Sequence, residues 1–109
     1  MSEGRQLKPA LEESPDRVDV IWDEGKHGSN RAEHEISFPE AATVFTDPLA
    51  AVIDDPDHSF DERRFLIVGE TAGGRLLVVS YTERGGKIRI ISARRATPKE
   101  RRNYEEGGR

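Results

Sequence analysis

Alternation of apolar and polar positions is clearest between Arg75 and Arg95, where Leu76 to Tyr81 and Lys87 to Ile91 flank Gly85-Gly86. Val, Ile, Leu and Tyr suit a pleated, half-buried surface, and a Gly pair takes positive φ angles without steric cost, so a two-residue β-hairpin is expected. Such a turn sets the register: Arg84 opposite Lys87, Glu83 opposite Ile88, Thr82 opposite Arg89, Tyr81 opposite Ile90 and Val79 opposite Ser92. One face then carries Leu77, Val79, Tyr81, Ile88 and Ile90, with Glu83, Ser92 and Arg94 at its ends, and reads as the core side. The other carries Leu76, Val78 and Ile91 together with Ser80, Thr82, Arg84, Lys87 and Arg89; hydroxyls mixed with cations make a face able to hold a phosphate backbone. Thr97-Pro98, with Glu100 three residues after the Thr, predicts a helix that opens on a capping box.

Upstream the pattern is less regular. Val18 to Trp22 reads as a short strand, and Asp23 stands where the N-cap of a polar helix ending near Glu35 belongs. Lys26, Asn30 and His34 recur at four-residue spacing and share one face of that helix. Ser37-Phe38-Pro39-Glu40 opens a second helix, whose stripe of Ala41, Val44 and Phe45 is core packing, and Asp47-Pro48 stops it. Leu49 to Ile53 and Glu62 to Glu70 are strands, Asp54 to Ser59 is a loop, and Thr71 to Gly74 is a turn into the Arg75 strand. The expected architecture is α+β: an antiparallel β-sheet, made of a four-stranded meander plus the N-terminal strand, with two N-terminal helices over one face and one C-terminal helix.

Composition narrows the class. A chain of 109 residues supplies one modest core, assigned to residues 18–106, with Met1–Arg17 as a flexible tail. There is no cysteine, hence no disulfide framework and no thiolate chemistry. No apolar run approaches the roughly 20 residues of a membrane helix, and Glu3, Arg5 and Lys8 precede no apolar leader, so a cytoplasmic location away from membranes is expected. The net charge of -4 argues against a polyanion partner until its distribution is read. Residues 1–59 hold 5 Lys or Arg against 14 Asp or Glu, and residues 60–109 hold 12 against 7. The C-terminal half is a local basic patch, which is what phosphates feel. Asp54, Asp55, Asp57 and His58 fit no metal-ligand spacing, and a turn explains them more simply, so no metal is expected.

The run from Arg64 to Ala96, followed by a helix with Lys99-Glu100-Arg101-Arg102-Asn103-Tyr104, resembles the BrnT family of type II toxins. Its upstream pattern reappears in order as Trp22-Asp23, Lys26, Asn30, His34 and Phe38 to Ala42, so the likeness spans Val20 to Glu106. One stretch departs: Glu33-His34-Glu35 stands where the family carries Lys-His-Gly. The resemblance implies a RelE-like fold, endoribonuclease activity that arrests growth by cleaving RNA, and no cofactor. It implies as partner a ribbon-helix-helix antitoxin of BrnA type, in a complex of two copies of each. Operator DNA would be contacted only through that antitoxin.

Cleaving RNA without a metal requires one group to deprotonate the 2′-hydroxyl, another to protonate the leaving 5′-oxygen, and cations to stabilise charge on phosphorus. Arg64, Arg89 and Arg94 are the candidate catalytic cations, since a guanidinium binds two phosphate oxygens and stays charged. Glu83, His34 and Tyr81 are the candidate proton-transfer groups. Lys26, Arg84, Ser92 and Arg95 are candidate RNA contacts. Each has a plainer reading: a solvated turn flank for Glu83-Arg84, a structural imidazole for His34, a core aromatic for Tyr81. Glu33, Glu35 and the overall acidity also leave open a second class, a catalytically degenerate relative that acts by binding a DNA-binding partner.

Overall fold

The computed structural model describes residues 19–55 and 62–107; the tail Met1–Arg17, Val18 of the first strand and positions 56–59 of the expected loop lie outside the described residues. Gly85 and Gly86 take φ of 58° and 80° and close the hairpin of β4 (Leu76–Arg84) and β5 (Lys87–Arg95). Pairing runs as expected from Arg84 opposite Lys87 to Tyr81 opposite Ile90. It then shifts by one residue: Ser80 faces Ser92, Ile91 is the extra residue of a β-bulge, and Val79 faces Ala93 rather than Ser92. The bulge corrects the expected faces. Ala93 joins the core at 0% exposure, Ser92 and Arg94 turn to the opposite face, and Arg95, opposite Leu77, turns to the core side.

β2 (Ala51–Asp54) and β3 (Arg64–Glu70) complete the antiparallel meander, and β1 (Val20–Trp22) closes the order β1-β5-β4-β3-β2. β1 runs parallel to β5, with Val20 opposite Ile88 and Trp22 opposite Ile90, so the sheet is mixed and not antiparallel. The reason is the route of the chain. From β1 it crosses the sheet through helices to the far edge, and a meander of four strands returns β5 beside β1 pointing the same way.

Those helices are α1 (Glu24–His34) and α2 (Phe38–Ala42), the second tightening into a 3₁₀ turn over Thr43–Thr46. Both caps expected from sequence form: Asp23 Oδ1 accepts from the Lys26 amide at 3.0 Å and Ser37 Oγ from the Glu40 amide at 3.2 Å. Ile36, Phe38, Ala41 and Val44 pack onto Ile67, Leu77, Val79, Tyr81, Ile90 and Ala93. Gly69 permits this close approach, because a Cβ there would lie 3.1 Å from the Ala50 Cβ and 3.2 Å from the Val44 Cβ. Asn30, buried, fastens α1 to the sheet: its Nδ2 donates to the Ile36 carbonyl at 3.1 Å, and its Oδ1 accepts from the Ala93 amide at 3.0 Å. That amide lies past the end of β1, so Asn30 satisfies a backbone donor that no strand reaches.

α3 (Pro98–Glu105) lies over the opposite face near β3 and contributes no buried residue. Its capping box is complete, with the Glu100 amide donating to Thr97 Oγ1 at 3.1 Å and the Thr97 amide to Glu100 Oε1 at 2.8 Å. Tyr104 anchors its end by donating to Asp47 Oδ2 at 2.7 Å.

Candidate functional site

Alternate residues of β3, β4 and β5 leave one sheet face that α1 and α2 do not cover. Arg64 on β3 and Arg89 on β5 both stand directly opposite Thr82 on β4, so the three side chains form a row across this face. One pleat further along, Ser80 lies opposite both Leu66 and Ser92, and beyond it Arg94 lies opposite Val78. The bulged Ile91 sits at the junction of three depressions. The first runs under α1 past Lys26, Ser29, Glu33 and His34; the second holds Glu62, Arg64, Thr82, Arg84 and Arg89; the third holds Asp55, Arg64, Ser80, Ser92 and Arg94. Together they make one cleft, from the C-terminal end of α1 to the edge of α3.

Carboxylates already hold several of its cations. Glu62 takes Arg84 in a bidentate pair, 2.8 Å from Nε and 2.9 Å from Nη2. The Arg84 hydrogen bonds hold the Glu62 carboxyl below its ordinary range, and the charges of Arg84, Arg89 and Arg64 add to this. At the other end Glu100 takes both terminal nitrogens of Arg94, at 2.8 and 2.9 Å. That pairing, with the Thr97 amide, pushes the Glu100 carboxyl down to about 2. Arg94 thus serves two structures at once, fastening α3 and facing the cleft.

The structure brings Lys26, His34, Arg64, Arg84, Arg89, Ser92 and Arg94 to this one surface. The His34 side chain is 36% exposed, and its Nε2 lies 3.9 Å from Glu33 Oε1. Three other sequence candidates lie elsewhere. Tyr81 is 5% exposed inside the core, stacked on Phe65 at 5.4 Å and edge-on to Phe45 at 5.0 Å, with burial raising its hydroxyl above the ordinary range. Glu83 follows Tyr81 on the same side and is exposed at the hairpin end. Arg95 stands on that side too, where its charge helps hold Glu40 below the carboxylate range behind the dominant Arg75 hydrogen bond. Sequence reasoning missed Glu62 and Asp55 as members of the cleft. Both flank the segment outside the described residues, and no motif marks them. Glu100 was legible as a capping residue, but not as the partner of Arg94.

Chemically, the cleft offers guanidinium groups to a phosphate, serine and threonine hydroxyls on its floor, and an imidazole at one end. Among the described residues, no three His, Asp or Glu side chains converge as metal ligands do, and no helix is long and apolar enough to cross a membrane. Comparison with known proteins gives two findings and one blank. The family model described as the ribonuclease toxin, BrnT, of type II toxin-antitoxin systems matches residues 22–100. The crystal structure of the Brucella abortus ribonuclease toxin BrnT is similar, with a TM-score of 0.57 and 25% sequence identity; the match covers 73% of this chain and 97% of that one. No curated protein matches by sequence.

Proposed function

The chain belongs to the BrnT family of ribonuclease toxins of type II toxin-antitoxin systems, and on that premise we propose that its open sheet face is a metal-independent endoribonuclease site. The observation that carries this reading is the convergence of Arg64, Arg84, Arg89, Ser92 and Arg94 on the sheet face that α1 and α2 leave bare, with Lys26 and His34 of α1 lining the depression that adjoins it at Ile91 and Ser92. In the reaction a 2′-oxygen bonds to the adjacent phosphorus as the bond from phosphorus to the 5′-oxygen breaks. The 2′-hydroxyl loses its proton and the 5′-oxygen gains one. His34 is the proton-transfer group on this face: its unprotonated ring nitrogen takes the 2′-hydroxyl proton, and a water molecule supplies the proton that the departing 5′-oxygen gains. Arg64, Arg89 and Arg94 stabilise the charge on the phosphoryl oxygens, and Lys26, Arg84 and Ser92 hold the flanking backbone.

The same reading places the protein in the cytoplasm with a RelE-like fold. It is neutralised there by a ribbon-helix-helix antitoxin in a complex of two copies of each, and it reaches operator DNA only through that partner. The test is induced expression in a bacterium without the antitoxin, with total RNA sampled early, and cleavage by purified protein in EDTA. Growth arrest with RNA breakdown, lost in Arg89→Ala and indifferent to EDTA, is the expected result. One observation favours a second reading: Glu33 lines the cleft beside His34, putting a negative charge where an RNA strand would pass. A folded protein that neither arrests growth nor cuts RNA selects that reading, a binding module without activity.

A further inference from the structure

Thr82 has 0% of its surface exposed, yet it lines the second depression of the cleft. Its Oγ1 has no hydrogen-bond partner among the described residues. A buried hydroxyl left unpaired destabilises a fold, and a valine would satisfy the same β-strand position without that penalty. The neighbours of this hydroxyl are two cations fixed by register. Arg64 and Arg89 flank Thr82 from the strands on either side, about 10 Å apart by the spacing of strands. Two guanidinium groups on either side of a hydroxyl form a three-donor arrangement for an anion. The notch they enclose has a volume of about 200 Å³, and Glu62 and Arg84 sit at its rim. Glu62 already fills the role of anion there, in its bidentate pair with Arg84.

We propose that this notch is the cleft's phosphodiester seat, in which the Thr82 hydroxyl donates to a nonbridging oxygen of an RNA phosphate while Arg64 and Arg89 grip it from the neighbouring strands. The identity of the ligand rests on the ribonuclease reading above; the existence of an anion site does not. Thr82 is the interior donor, and the arginines supply charge and direction. Glu62 competes with the phosphate, so occupancy of the seat releases Arg84 to the adjoining backbone. The seat lies beside Ile91, where the depression containing Lys26 and His34 meets it.

The experiment uses the full chain and two probes, inorganic phosphate and a 2′-O-methyl RNA hexamer that cannot be cut, each titrated by NMR at fixed low salt. Thr82→Val is expected to weaken both probes about tenfold, the value of one hydrogen bond to a charged group. The same variant should melt about 4–8 °C higher, because it removes an unpaired buried hydroxyl. Glu62→Gln is expected to tighten both probes several-fold by removing the competing charge. Unchanged binding in Thr82→Val, or a lower melting temperature, overturns the seat. Phosphate binding that the hexamer does not displace overturns its assignment to an RNA strand. Failure of the two readings is separable. A protein that binds phosphate through Thr82 but does not cut RNA keeps the seat and loses the nuclease. RNA cleavage that Thr82→Val leaves unchanged keeps the nuclease and loses the seat.

Discussion

The two faces of this sheet are built from the same three strands and differ in the charge that surrounds their buried polar groups. On the core side, Ile67, Leu77, Val79, Ile90 and Ala93 lie under α1 and α2, and the buried Asn30 has both ends of its amide bonded, while His27 Nε2, packed against Trp22 and Phe38, has no partner among the described residues. On the open side, Thr82 is as deeply buried but unpartnered, and arginines flank it. What sets the open face apart is therefore not an unpaired buried atom as such but an unpaired hydroxyl with a guanidinium on each neighbouring strand. The bulge at Ile91 divides the two roles. By adding one residue to β5 it gives Ala93 to the core and Arg94 to the cleft, a change that no single substitution on a regular strand makes.

The harshest way to break this comparison is to place the same charge on each face. Val79→Asp puts an unpaired carboxylate at a fully buried position, at a cost of several kcal/mol against a total stability of about 5–15 kcal/mol. No cooperative thermal transition is expected by circular dichroism. Ser92→Asp, exposed on the open face, should melt within about 0.5 kcal/mol of the parent. A folded Val79→Asp protein would mean that the faces have been assigned backwards.

Next in size are the cations. Arg89→Ala is expected to lower RNA cleavage by about 10²–10³-fold, as loss of one preorganised donor does, with the melting temperature nearly unchanged. Arg95→Ala, on the core side of the same strand, should leave cleavage as it was. Equal losses from both would show that only total charge matters and that the cleft has no geometry.

Much of this was legible in the sequence, where local chemistry decides structure. The Gly85-Gly86 turn, the caps at Asp23, Ser37 and Thr97, and the apolar face of Leu77, Val79 and Tyr81 all follow from rules acting within a few residues. What was not legible depends on pairing at a distance. The bulge needs Ala93 to be drawn inward by the core and held by Asn30, which lies 63 positions away. The parallel placement of β1 depends on where the helical crossover delivers the chain. Glu62 and Asp55 have no local signature and enter the cleft only because β2 and β3 pair.

The link between the cleft and α3 is a smaller effect with a definite pH signature. Glu100 titrates at about 2 in the folded protein, below its ordinary value of 4.5. Because the folded value is depressed, the stabilisation is fully present above about 4.5 and is lost as pH falls toward 2. The carboxylate is 29% exposed and Arg94 41%, so solvent screening reduces the contribution to about 1–2 kcal/mol. Urea midpoints of the parent and Glu100→Gln should differ at pH 6 and converge as the pH drops through 3. A constant gap would mean that α3 is held by Tyr104 and Asp47 and not by the cleft arginine.

The smallest expected effect is the most discriminating for the chemistry. Glu83→Gln should change cleavage by less than about twofold, whereas His34→Gln should lower it by about 10² or more, the usual contribution of a positioned acid or base. By residue type a carboxylate beside Arg84 is a reasonable base for a 2′-hydroxyl. The register denies it the position: Glu83 alternates with Thr82 and shares the side of Tyr81, so the sheet itself separates it from Arg89 and the notch at Thr82. If Glu83→Gln nonetheless loses more than tenfold, the RNA strand must pass around the exposed tip of the β4–β5 hairpin. The two faces would then act as one surface joined at Gly85-Gly86, and the bulge at Ile91 would lose its place as the organiser of the site.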